Sequence, residues 1–124
     1  LVDDEDMILD IGRDLLERLG YEVLTAKSGI EAVEIYRTNQ KKIDIVILDM
    51  VMPKMDGGDT YEKLKDIDPA ILVLLSSGYS IDGKASKILS VGCNGFIQKP
   101  FDIKSLSWEI RKILDNNFKA AANL

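Results

Sequence analysis

The sequence predicts an α/β domain, a doubly wound sandwich with helices covering both faces of a parallel sheet. Two observations carry that expectation. Apolar runs and helical patterns alternate along the chain with little between them, giving five strand-then-helix repeats. Runs such as IVIL at 45–48 and ILVLL at 71–75 are apolar at every position, as strands buried on both faces are. Right-handed crossovers then stack the helices on the sheet.

Each element follows from its local pattern. Leu1-Val2 reads as the end of a first strand, and the missing initiator Met suggests a fragment that lacks the start of that strand. Met7, Ile8, Ile11, Leu15, Leu16 and Leu19 recur at helical spacing, with Gly20 placed to end the helix. Residues 21–26 read as the second strand. Ser28 and Glu31 form a capping box for a helix carrying Ala32, Val33, Ile35 and Tyr36. Residues 43–48 form the third strand. A helix opening at Gly58 or Asp59 contains Tyr61 and Leu64 and ends before Pro69. Residues 71–75 are the fourth strand, 82–91 a helix stopped by Gly92, and 95–98 a short fifth strand. Asp102 is placed to cap the last helix, whose buried stripe is Ile103, Leu106, Ile110, Ile113 and Leu114. The pattern describes one domain over 1–118 and a weakly patterned tail at 119–124.

Composition removes several function classes. The chain has 124 residues, 46% hydrophobic and 30% charged, which suits a single folded core. Its 21 acids outweigh 16 basic residues, a balance that argues against a nucleic-acid surface. Cys93 is the only cysteine and there is no histidine, so an internal disulfide, a multi-cysteine metal site and histidine catalysis are all excluded. No apolar run approaches the ~18–20 residues that cross a bilayer, and no signal peptide is visible. A reducing, cytoplasmic setting is expected, with no membrane contact by the domain itself.

In an open parallel sheet, ligands bind beyond the carboxyl ends of the strands. Asp3, Asp4 and Glu5 follow the first strand and Asp49 ends the third. Ser76 and Ser77 end the fourth, and Lys99-Pro100 follows the fifth. Individually these are ordinary: acids cap helices, serines line loops, and a lysine before proline is usually solvated. Together they bring carboxylates, a hydroxyl and an ammonium to one edge. Clustered carboxylates call for a cation, and Mg²⁺ favours oxygen ligands that include a phosphate. A carboxylate beside it can attack phosphorus, with Lys99, Ser77 and backbone N–H groups stabilising the transferred group.

The motifs LVDDED, DIVILDMVMPKMDG, VLLSSGYS and GFIQKPF, in this order and spacing, closely resemble the two-component response-regulator receiver domain (CheY-like). The resemblance covers essentially the whole chain. It implies a flavodoxin-like (βα)5 three-layer sandwich with a five-stranded parallel sheet in the order 2-1-3-4-5. It implies that Asp49 is the phosphoacceptor, taking a phosphoryl group from a phosphohistidine on a histidine kinase or histidine phosphotransfer domain. Asp4, Asp49 and the Val51 backbone carbonyl would hold Mg²⁺ directly, with Asp3 acting through water, and Mn²⁺ could substitute. Lys99 matches the family lysine, before a cis Lys99-Pro100 bond. Ser77 is the switch hydroxyl, with Ser76 as its rival, and Phe96 the aromatic switch residue, with plain core packing as the alternative. Phosphorylation would then alter the surface of the fourth helix, fifth strand and fifth helix.

Departures from the family pattern refine this reading. Val51 and Tyr79 flank the path of the hydrolytic water and neither orients a water, which implies slow self-dephosphorylation. The GCNGF segment lacks the acidic pair of many dimerising transcription-factor receivers. SSGYS and GFIQKPF look more like receivers attached to hybrid sensor histidine kinases. An aspartyl phosphatase would want a second Asp where Val51 stands. A flavin or dinucleotide site would want a Gly-rich or hydroxyl-rich loop in place of Asp3-Asp4-Glu5. The remaining alternative is a degenerate receiver that serves only as a protein-interaction module. The reading is therefore a signalling phosphoacceptor and not an enzyme, with no direct nucleic-acid binding and an unspecified downstream effector.

Overall fold

The computed structural model describes residues 1–78 and 92–122, with side chains of the last helix described through residue 116. The helix expected at 82–91 and the side chain of Tyr79 lie outside the described residues. Strands β1 (Val46–Asp49), β2 (Val73–Ser77) and β3 (Gly95–Gln98) form a parallel sheet in that order. Val2 adds parallel bridges to Leu48 on one side and Ala26 on the other. The flavodoxin-like order is thus regular over its last three strands and reduced to single bridges over its first two segments.

That reduction corrects the expected strand at 21–26. Among the described residues its backbone bonds to the sheet side run to the first three residues: Ala26 N–H to the Leu1 carbonyl, Asp3 N–H to the Ala26 carbonyl, and the Leu1 nitrogen to the Leu24 carbonyl. Residues 22–25 and 43–46 line a cavity of about 590 Å³. The other strands begin and end up to three residues later than the sequence pattern indicates, so β1 includes Asp49 itself and β2 includes both serines.

Helices α1 (Asp6–Arg18), α2 (Gly29–Asn39) and α3 (Gly57–Ile67) connect these segments, and the C-terminal helix Ile103–Ala122 closes the fold. That last helix continues past residue 118 into the expected tail. Gly20, at φ +95°, ends α1: its N–H bonds the Glu17 carbonyl and the next N–H, of Tyr21, bonds Leu16. Ser28 caps α2 by accepting from the Glu31 N–H at 3.1 Å. Helix α3 opens at Gly57, one residue before the sequence estimate, because the Asp56 carboxylate caps it through the Asp59 N–H at 2.9 Å. Asp102 caps the last helix as expected, accepting from the Ser105 N–H at 2.8 Å.

Alternation along the strands sorts the core into two layers. Val2, Val46, Leu48, Val73 and Leu75 pack with Ala32, Val33 and Tyr36 of α2 and with Tyr61 and Leu64 of α3. Ile47, Leu74 and Ile97 face the other way, onto Leu16 of α1 and Leu106, Ile110 and Ile113. Leu48, Leu64, Leu74, Leu75 and Leu106 are fully buried, each contributing about 1.5–3 kcal/mol of apolar burial. Two stripes differ from expectation. In α1 the buried face is Leu9, Gly12 and Leu16, while Met7 and Ile11 are exposed. Gly12 lies where a Cβ would fall 2.6 Å from Leu1 Cδ2, so α1 packs closely against Leu1 at this position. In the last helix Ile103 is exposed, and the buried stripe starts at Leu106.

Candidate functional site

The two layers also decide which polar groups meet. Val2 and Leu48 belong to one layer, so the next residues, Asp3 and Asp49, point to the other. Both end up buried. Lys99, just past β3, reaches back with its Nζ 2.7 Å from Asp3 Oδ2 and 3.1 Å from Asp49 Oδ1. Oxygens of Asp3, Asp4 and Asp49 all lie within 4.8 Å of one another, and Asp4 is the exposed member. The structure therefore brings together the acidic pair, the expected phosphoacceptor and the lysine.

Asp3 has a further role. Its Oδ1 accepts from the Glu5 N–H at 3.0 Å while Oδ2 takes the Lys99 bond. Asp3 therefore holds the turn before α1 as well as Lys99, and the capping expected of these acids is not made. Glu5 itself, at the N-cap of α1, makes no side-chain cap bond.

Electrostatics of the cluster follow from burial and charge count. Burial and the neighbouring Asp3 charge push the Asp49 carboxyl up from 3.8 to about 6. The Lys99 ammonium and the Val51 N–H act in the opposite sense without cancelling that rise. Burial alone would lower the Lys99 pKa, but its bonds and charges with Asp3 and Asp49 outweigh burial and raise it. Three carboxylates against one ammonium leave the pocket with surplus negative charge.

The loop after Asp49 is held close. Val51 is 64% exposed at the lip, its N–H 3.4 Å from Asp49 Oδ1. The Gly57 N–H bonds the Met50 carbonyl at 3.0 Å. A Cβ on Gly57 would sit 2.5 Å from the Asp49 carbonyl oxygen and 2.7 Å from Met50 Cα. Lys54 adopts φ 68° in the same loop, the left-handed region that a side chain rarely takes. No local sequence pattern encodes this close backbone contact at Gly57.

Ser77 and Ser76 are both buried at the end of β2 but face opposite layers. Ser77 follows the Leu75 side. Phe96, paired in register with Leu75, packs on that same layer and is partly buried. The expected hydroxyl and aromatic switch residues therefore share one face. Ser76 shares the other face with Asp49, its register partner. The Lys99-Pro100 bond is cis. No helix among the described residues is long and apolar enough to cross a membrane.

Comparison with known proteins agrees with this geometry. The family described as "Response regulator receiver domain" matches residues 1–111. The sensor kinase CckA of Brucella abortus is 37% identical over 115 residues, 93% of this chain and 12% of the kinase. Several transcriptional regulators named ycf27 also match, and the chain spans about half of their length. A receiver domain protein from Clostridium thermocellum has a similar structure, with TM-score 0.89 and 34% identity over 96% of this chain and 94% of that one. The receiver domain of the hybrid histidine kinase CckA has TM-score 0.76 and 34% identity over 91% and 94% of the two chains. By the family model over residues 1–111 and by these similarities in sequence and fold, the chain belongs to the response-regulator receiver domains of two-component signalling.

Proposed function

We propose that Asp49 accepts a phosphoryl group from a phosphohistidine, in a reaction assisted by Mg²⁺. The observation that carries this is the buried Asp49 carboxylate, bonded to Lys99 and within 4.8 Å of oxygens from Asp3 and Asp4. In the transfer an Asp49 oxygen attacks phosphorus and a new O–P bond forms. The N–P bond to the donor imidazole breaks, and its electron pair returns to the ring nitrogen. Lys99, already between Asp3 and Asp49, is placed to pair with the phosphoryl oxygens, and Ser77 with them from the end of β2.

The donor set fits a hard divalent cation: all three groups are carboxylates, and their negative charge exceeds that of the ammonium. Asp4, Asp49 and the Val51 carbonyl would hold Mg²⁺ or Mn²⁺, with Asp3 beside them, and the cation would supply the positive charge that a phosphate needs at this acidic edge. Phosphorylation then draws Ser77 toward the new group, and Phe96 on the same face follows into the released space.

The domain acts as a signalling phosphoacceptor rather than as an enzyme, with slow self-dephosphorylation. Exposed Val51 offers no polar side chain to guide water to the acyl phosphate. An acyl phosphate that persists for minutes in Mg²⁺ buffer is expected, and loss within seconds would contradict the proposal. Similarity to the CckA receiver favours a hybrid histidine kinase as the parent, with a histidine kinase or phosphotransfer domain as partner. The test is transfer from a labelled phosphohistidine domain: label should move to the chain and not to its Asp49→Asn variant. Equal labelling of both would defeat the proposal, and specific docking without label would favour the interaction-only module.

A further inference from the structure

The reaction described above uses Ser77 and leaves its neighbour without a role. Ser76 is fully buried, and among the described residues its Oγ has no hydrogen-bond partner. A buried hydroxyl left unpaired is unfavourable, and native proteins rarely retain one without reason. Its position is specific. Ser76 is the register partner of Asp49, on a neighbouring strand about 4.8 Å away. Ile47 and Leu74, two residues earlier on each strand, pack in one layer, so the pleat sends both Asp49 and Ser76 to that same side. The bonds to Asp49 among the described residues, from Lys99 and from the Val51 N–H, both end on Oδ1. A serine hydroxyl redirects by a single χ1 step between staggered wells.

We propose that Ser76 is a positioning residue for the acceptor: its hydroxyl donates a hydrogen bond to the Asp49 side chain once that side chain is phosphorylated. This rests on the reading of Asp49 as phosphoacceptor. Esterification of one carboxylate oxygen leaves the other as a carbonyl oxygen, an acceptor in need of a donor. Lys99 at the same time gains phosphoryl oxygens as partners. A hydroxyl on the adjacent strand then fixes the rotation of the acyl group. Because that hydroxyl has no partner among the described residues, the new bond favours the phosphorylated state. A residue that only filled space would favour neither state.

The test uses beryllofluoride, which binds a carboxylate as a phosphoryl mimic, added with Mg²⁺ to the full chain. Thermal unfolding is followed with and without it for the wild type, Ser76→Ala, Ser76→Cys and Asp49→Asn. Ser76→Ala should leave the additive-free Tm unchanged or raised while weakening apparent beryllofluoride affinity about threefold to tenfold. Ser76→Cys fills the same space with a weak donor and should behave like Ser76→Ala. The proposal is overturned if both variants bind beryllofluoride as tightly as the wild type, or if their additive-free Tm falls as far as the liganded one. A wild type that shows no shift at all would overturn the Asp49 reading and this inference with it. A normal wild-type shift with unaltered Ser76 variants would overturn this inference alone.

Discussion

Asp49 is held in a state that its surroundings make uncomfortable, and pH reveals it. Its folded pKa, about 6, lies above the ordinary 3.8, so the native state binds this proton more tightly than the unfolded chain does. The stability tied to this group is therefore fully present below about pH 3.8 and is lost as pH rises through about 6. Asp49→Asn should be more stable than wild type at pH 8, by up to about 3 kcal/mol without added cation. That advantage should fade on acidification from pH 6 to pH 4, as followed by denaturant titrations across that range. Lys99→Ala should do the reverse, leaving Asp3 and Asp49 buried without their cation, at a loss on the order of 3 kcal/mol at neutral pH. In an Asp49→Asn background that loss should shrink, which a double-mutant cycle measures. Residue types at this edge were legible in sequence because each follows an apolar run. The pairing of Lys99 with both acids was not, since it depends on which face each strand end presents.

Strands and helices deliver these residues by simple means. Fully buried β1 fixes Asp49, and Gly57 at the start of α3 lets the returning backbone press against the Asp49 carbonyl. Gly57→Ala places a Cβ 2.5 Å from that oxygen and should destabilise the fold by about 1–3 kcal/mol. It should also lower phosphorylation more than a stability-matched change such as Ser28→Ala, whose lost cap is worth about 1 kcal/mol. Comparing the two variants for stability and for phosphoryl uptake separates displacement of the acceptor from general loosening. Capping and turn chemistry were readable at Gly20, Ser28 and Asp102, where local bonds decide the outcome. The buried face of α1 was misjudged because Met7 and Ile11 follow helical periodicity yet stay exposed, while Gly12 meets Leu1. Close approach of a glycine is a tertiary fact that periodicity does not record.

At the scale of the whole molecule, one sheet separates two jobs. The layer under α1 and the C-terminal helix holds the acidic edge, with Asp3, Asp49 and Lys99. The layer under α2 and α3 includes Phe96, on the face of Ser77. A phosphoryl group bound on one side can therefore shift packing on the other through the end of β2. The parallel sheet was evident in the unbroken apolar runs, whereas the single bridges at residues 2 and 26 were not, because pairing depends on which distant backbone groups meet. The most direct test is intact mass after incubation with acetyl phosphate, with and without Mg²⁺. A single added phosphoryl group is expected on the wild type, dependent on Mg²⁺ and absent from Asp49→Asn. An adduct that survives in Asp49→Asn, or no adduct on the wild type with any phosphoryl donor, would contradict that expectation.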